Sequence, residues 1–334
     1  MDQIIRIAFD FTTQKIYPLG NPTKAENISL IAIGGYGRGE MAPFSDVDLM
    51  FLVPYKRTPW VENVVEYVLY LLWDLGLKVG HSIRSIKDCI KLSKGDLTIQ
   101  TSLIDCRYIW GDQDLYKEGI KEFKKKSIFG SSNKFFEDKM AERASRHIRV
   151  GDSRFVVEPN LKEGKGGLRD LQTLFWLGRH FYGIGAVSEL VDLNVISSFE
   201  AHAYERALEF LWRVRCHLHF LSGRPEERLT FDAQRDLAQA MGYKDSEGLS
   251  GVETFMKHYF LVVKEVGTLT RVFCSSLEDQ QQKKKLFRLS RFGLRKKIGE
   301  FKLDGGRITL NEMGDFKEDS LKLLKIFLEA DKQA

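Results

Sequence analysis

Two short apolar runs, Leu30-Ile31-Ala32-Ile33 and Leu49 to Val53, bracket the segment GGYGRGEMAPFSDVD at 34–48. Apolar runs of this length, bounded by glycine and proline, read as buried strands. The adjacent glycines Gly34 and Gly35 turn the chain sharply at the end of the first strand. The second strand opens on Ser45-Asp46-Val47-Asp48. Strand side chains repeat every two residues, so Asp46 and Asp48 share one face.

Two carboxylates on one face beside a glycine turn make a site for a divalent metal and a polyphosphate. Magnesium takes oxygen ligands and usually keeps substrate phosphate in its shell. Two such ions can activate a hydroxyl and stabilise leaving pyrophosphate in an in-line displacement, which points to nucleotidyl transfer. Gly34 and Gly35 allow close backbone approach to phosphates. A helix starting there would turn its free N–H groups to the same anion. Arg38 adds a charge-assisted contact, and Ser45 is grouped with the nucleotide-binding residues. A lone Asp-x-Asp is commonly a solvated strand end, and a lone Gly-Gly merely a turn. The signal is the composite of strand, Gly-Gly, about ten residues, SDVD and strand.

A second segment, EPNLKEGKGGLRDLQ at 158–172, permits a tight loop through Gly164, Gly166 and Gly167. Lys162, Lys165 and Arg169 surround it with charge. It reads either as a helix-entry loop with solvated cations or as a second wall of a nucleotide cleft. Asp170 can pair with one of those cations or order the following helix.

Hydrophobic periodicity sets the frame. Residues 2–11 read as a helix, 29–33 and 47–53 as strands, 60–75 as a core helix and 77–83 as a third strand. Residues 98–104 fit strand or helix. Strands alternating with helices predict an α/β (α+β) domain over 1–130. An all-α domain is predicted over 131–277, then a basic linker from 278 and the start of a further region up to 334. A short strand is expected near 304–310 and a helix over 316–330. Trp73, Trp176 and Trp212 read as core residues rather than base-stacking platforms.

The chain of 334 residues has a formal net charge of +5, which is mild for a dedicated nucleic-acid binder. Val64 to Leu77, the longest apolar stretch, is interrupted by Glu66 and Asp74 and is too short to span a bilayer. Cys89, Cys106, Cys216 and Cys274 are widely spaced, with no zinc pattern, and a reducing, cytoplasmic setting is expected. No histidine is followed directly by aspartate, so a phosphohydrolase centre built on a His-Asp pair is missing. His217 and His219 lie two apart on a helix and are poor joint ligands.

The motifs GGYGRGEMAPFSDVDLMFL, LLWDLGLKVGHSIRS, LTIQTSLIDCRYIWGD, EPNLKEGKGGLRDLQTLFW and FLWRVRCHLHFLSGRPEERLTFDAQRDLAQAMGY occur in that order. Together they resemble the bifunctional PII uridylyltransferase/uridylyl-removing family of bacterial nitrogen sensors, over about residues 4–330. The resemblance implies a polymerase-β-like nucleotidyltransferase domain followed by a helical domain. It implies transfer of UMP from UTP to a tyrosine of the PII signalling protein with Mg2+, and neither a nucleic-acid nor a membrane partner. Gly34 and Gly35 match the family's glycine pair, Asp46 and Asp48 its metal-binding acids, and Lys162, Arg169 and Asp170 its glycine-rich motif. A third carboxylate is usual in the superfamily; the third strand offers none, which leaves Asp105 as a substitute. The family's hydrolase and glutamine-sensing domains have no counterpart here, so uridylyl removal is expected to be absent. Two alternatives stay open: a nucleotidyltransferase with another acceptor, and a fragment that binds nucleotide or PII without turnover. No residue pattern distinguishes uracil from the other bases.

Overall fold

In the computed structural model, the described residues are 1–128, 132–151, 153–246 and 248–290, with three short strands beyond them. Met1–Thr270 form one compact unit and Arg271–Ala334 a second. The chain runs α1 (Asp2–Phe11), β1 (Ser29–Ala32), α2 (Gly34–Gly37), β2 (Val47–Val53), α3 (Pro59–Asp74), β3 (Val79–Ser85), α4 (Ile86–Ser93), α5 (Leu97–Ile104), β4 (Arg107–Gly111) and α6 (Gln113–Phe123). Helices follow: α7 (Ser132–Arg149), α8 (Leu168–Tyr182), α9 (Glu189–Asp192), α10 (Ser198–Ser222), α11 (Phe231–Ala240) and α12 (Gly251–Ser290).

The sheet of the first unit has the order β3-β2-β1-β4. β1 is antiparallel to β2 and β4, while β2 and β3 are parallel. The parallel pair needs a crossover, and α3 supplies it. Thr58 caps α3 by accepting from the Val61 N–H, and Pro59 occupies the first turn, where its missing N–H costs nothing. α3 buries Val61, Val64, Val65, Val68, Leu69 and Leu72 at helical spacing. These pack with Ile5 and Phe9 of α1 and with Val47, Leu49, Phe51 and Val53 of β2. On the other face of β2, Met50 and Leu52 share a small apolar hollow with Ile86, Cys89, Leu103 and Phe123. The sheet is therefore covered on both sides, which explains why β2 reads as a continuous apolar run.

Several sequence expectations shift. The third strand starts at Val79, two residues later than its apolar pattern begins, and Leu97–Ile104 is a helix. Asp96 settles the second point by accepting from the N–H groups of Thr98 and Ile99 as an N-cap. Trp73 is not core: it is 43% exposed, because the buried stripe of α3 passes through Leu69 and Leu72. The basic stretch after 277, expected as a linker, continues as helix to Ser290. Its Gln, Lys, Leu and Arg residues are good helix formers, with no glycine or proline to stop them. β5 (Lys297–Ile298), β6 (Phe301–Asp304) and β7 (Arg307–Thr309) form a small antiparallel sheet. The helix expected over 316–330 lies outside the described residues.

Candidate active site

A cavity of about 380 Å³ in the first unit collects most of the candidate residues. Gly34, Gly35, Arg38, Ser45, Asp46, Asp48, Asp105, Lys162 and Arg169 all line it. Asp46 stands one residue before β2 and is exposed, while Asp48 lies within the strand and is half-buried. Burial pushes the Asp48 carboxyl above its ordinary pKa; Asp46 adds to the rise and Lys162 opposes it. A like-charged pair of this kind is relieved by a bound cation.

Two glycines make room for the Asp48 carboxylate. Gly34 has φ +58°, and a Cβ there would come 3.2 Å from Asp48 Oδ2. Gly80 pairs with Asp48 across the parallel β2–β3 ladder, and a Cβ there would stand 2.5 Å from Oδ1. Sequence reading missed Gly80, although a glycine inside an otherwise regular strand marks close approach of another group. Gly80→Ala should displace the carboxylate and weaken divalent-metal affinity about 10-fold or more, with stability falling by about 1–3 kcal/mol. Isothermal titration with Mg2+ or Mn2+, read beside a thermal melt, checks both effects.

Asp105 and Arg38 meet as an ion pair in the cavity wall. Arg38 forms ion pairs with Asp105 and, at 2.7 Å, with Glu40. Burial opposes the Arg38 charge, but the two carboxylates outweigh it and hold its pKa above the ordinary value. The Asp105 carboxylate also accepts from the Trp176 indole N–H, at 2.9 Å to each oxygen. Burial pushes its carboxyl up to about 6, against the pull of Arg38 and Trp176. Among the described residues no three His, Cys, Asp or Glu side chains come together as a metal-holding group. Asp105 lines the same cavity as Asp46 and Asp48, with its carboxylate ion-paired to Arg38. With two carboxylates as the donor set, the remaining oxygen ligands of a magnesium ion would come from substrate phosphate and water.

The opposite wall comes from the glycine-rich loop. Asn160 Oδ1 accepts from the Lys162 and Glu163 N–H groups and folds the loop back on itself. Gly166, at φ +85°, lies directly against the Val263 carbonyl of α12, and Gly167 against the Leu161 carbonyl. Lys162 is thereby aimed into the cavity. Among the described residues no carboxylate lies within ion-pairing distance of its ammonium, and burial, then Arg169, pull its pKa down. Glu227, Glu163 and Asp48 act on it only at longer range, so its ammonium donors are available to an anion. Arg169 is held by Glu163 at 3.1 Å and by Gln172 at 3.0 Å. Gln172 in turn donates to Glu40 at 3.1 Å, tying α8 to the segment after α2.

Asp170, expected to pair with the loop cations or order the helix, takes its main partners from α7. It accepts from Arg143 through both oxygens, at 3.0 and 3.1 Å, from Arg146 at 2.9 Å, and from the Gly166 N–H at 2.8 Å. The His147 ring lies 3.0 Å away. Hydrogen bonding to His147 and the charges of Arg143 and Arg146 overcome burial and hold its carboxyl far below the usual range. Trp176 and Trp212 both line the cavity, so neither is purely core.

Among the described residues no helix is long and apolar enough to cross a membrane. The GlnD PII-uridylyltransferase family profile matches residues 134–274. Over 328 residues, 98% of the chain, the protein is 54% identical to the bifunctional uridylyltransferase/uridylyl-removing enzyme of Rhodospirillum rubrum. It is 50% identical over 329 residues to the enzyme of the same name from Azospirillum brasilense. In both cases the match spans 35% of the relative's length. Over nearly its whole length, therefore, the chain belongs to the bifunctional uridylyltransferase/uridylyl-removing enzyme family, and it spans about a third of the members it matches.

Proposed function

We propose that this chain carries a magnesium-dependent uridylyltransferase centre that transfers UMP from UTP to a tyrosine of a PII signalling protein. The observation that carries the reading is the half-buried Asp48 beside Asp46, facing Lys162 across one cavity. Asp46 and Asp48 hold the metal, and Gly34, Gly35, Ser45, Lys162 and Arg169 hold the triphosphate. Bound magnesium would neutralise developing charge on the phosphates and polarise the attacked phosphorus. Lys162 adds an ammonium for phosphate oxygen. Arg38, fixed by Asp105 and Glu40, shapes the wall and keeps its orientation as substrate enters. The indole of Trp176 lies under three cations, Arg38, Lys139 and Arg169, and buttresses that wall.

The uridylyl donor is supported by the names of the relatives, and the PII acceptor by the matching family's description. Mass spectrometry of PII after incubation with this protein, magnesium and each of the four nucleoside triphosphates tests it. A UMP adduct on a PII tyrosine with UTP is the expected result. No adduct with any nucleotide would reject the transferase reading.

A further inference from the structure

At one part of the cavity a buried ion pair faces the nucleotide space. Arg215 of α10 is 7% exposed and grips Glu227 through Nε, at 3.0 and 3.1 Å, and through Nη2, at 2.6 Å. Both residues line the cavity that holds Asp48 and Lys162. Glu227 is delivered there by backbone pairing: its carbonyl accepts from the Leu161 N–H at 2.7 Å, next to Lys162. Aromatic groups border the pair. The Arg215 guanidinium lies 4.9 Å from the Trp212 ring centre, and His219, 3.7 Å from Glu227, faces the Phe44 ring.

The pair keeps hydrogen-bonding capacity. A carboxylate offers about four lone-pair sites, and a guanidinium five N–H donors in a fixed fork. Among the described residues Arg215 Nη1 has no acceptor, and Glu227 Oε2 receives only the longer Nε contact. An anchored acceptor beside an anchored donor matches the edge of uracil, where N3–H is flanked by carbonyl oxygens. Cytosine held in the same register would put its N3 lone pair against the carboxylate. Adenine and guanine need a larger space for the second ring.

We propose that Glu227 and Arg215 read the base: Glu227 accepts the uracil N3–H, and Arg215 Nη1 donates to a flanking carbonyl. Phe44 and Trp212 provide apolar surface for the ring. This rests on the uridylyltransferase reading, but it concerns binding and can be tested apart from transfer.

The test is equilibrium binding of UTP, CTP and N3-methyl-UTP to the whole protein in the presence of magnesium. A lost or mismatched base contact is expected to cost about 10- to 100-fold in affinity. UTP should therefore bind about 10-fold or more tighter than either CTP or N3-methyl-UTP. Glu227→Gln, whose amide can turn a donor toward cytosine N3, should narrow the UTP-to-CTP ratio about 10-fold while still pairing with Arg215. Equal binding of UTP and N3-methyl-UTP by the unmodified protein would overturn the proposal without reference to any variant. An unchanged UTP-to-CTP ratio in a folded Glu227→Gln protein would overturn it too. UTP preference with these changes but no adduct on PII would keep the base-reading pair and reject the transfer. Failure to bind any nucleotide would reject both.

Discussion

Asp48→Asn should lower uridylyl transfer on the order of 10³-fold, because a lost metal contact removes several kcal/mol of charge stabilisation. The fold should not weaken with it. Burial raises the Asp48 pKa, and a raised carboxylate pKa means the ionised form costs stability once pH passes above it. Asparagine removes that cost, so the melting temperature should hold or rise while activity collapses. The same shift bears on metal uptake: at sub-saturating magnesium, activity should fall on acidification earlier than an ordinary carboxylate would dictate, because Asp48 must lose its proton before the empty site takes up the metal. Initial rates and melting curves across pH, for both proteins, check this. A variant with unchanged rate, or one whose rate loss simply tracks a lower melting temperature, would contradict the assignment of Asp48 as a metal ligand.

Asp170→Asn should produce the opposite pattern, with stability falling first. The substitution takes the shared carboxylate from Arg143 and from Arg146, which is 1% exposed on its side chain; Arg146 keeps Glu142 at 3.3 Å and Glu163 at 3.7 Å, while among the described residues Arg143 has no other carboxylate. Breaking a buried pair from one side costs about 3–5 kcal/mol. At about 2–4 °C per kcal/mol, the melting temperature should drop by roughly 10 °C. The glycine loop should loosen as well, because the Gly166 N–H is held by the same carboxylate. The Asp170 carboxyl is depressed in the folded state. Its contribution is therefore present above the unfolded carboxylate pKa and is lost as pH falls toward the folded one. Thermal melts between neutral and strongly acidic pH should show the two proteins converging at the acid end. A difference below about 2 °C at neutral pH would show that α7 does not depend on this carboxylate.

Much of the site was legible from local pattern. The apolar runs around 30–33 and 49–53 became β1 and β2, and Asp46 and Asp48 line one cavity, although only Asp48 stands within β2. The loop around Lys162 could be read as a cleft wall because glycine clusters and cations are local signals. Asp170 was noticed, but its partners were not, since Arg143 and Arg146 lie 27 and 24 residues earlier. Gly80 carried a faint signal as a glycine within a strand, and only the register of the parallel ladder sets it opposite Asp48.

Charge assignment is where linear reading stops. Arg38 and Asp105, 67 residues apart, looked like a phosphate ligand and a third metal acid. Folding joins them as a buried ion pair, with the Trp176 indole N–H donating to Asp105. Likewise Arg215 and Glu227 are unremarkable in a charged helix and loop until backbone pairing beside Leu161 brings them to the cavity. Hydrophobic period and turn chemistry act over a few residues, so they specify elements and motifs along the chain. Which cations are held by a close carboxylate and which are not depends on neighbours brought together by folding. Arg38 and Arg169 line the cavity with close carboxylate partners, and among the described residues Lys162 lines it without one in ion-pairing distance.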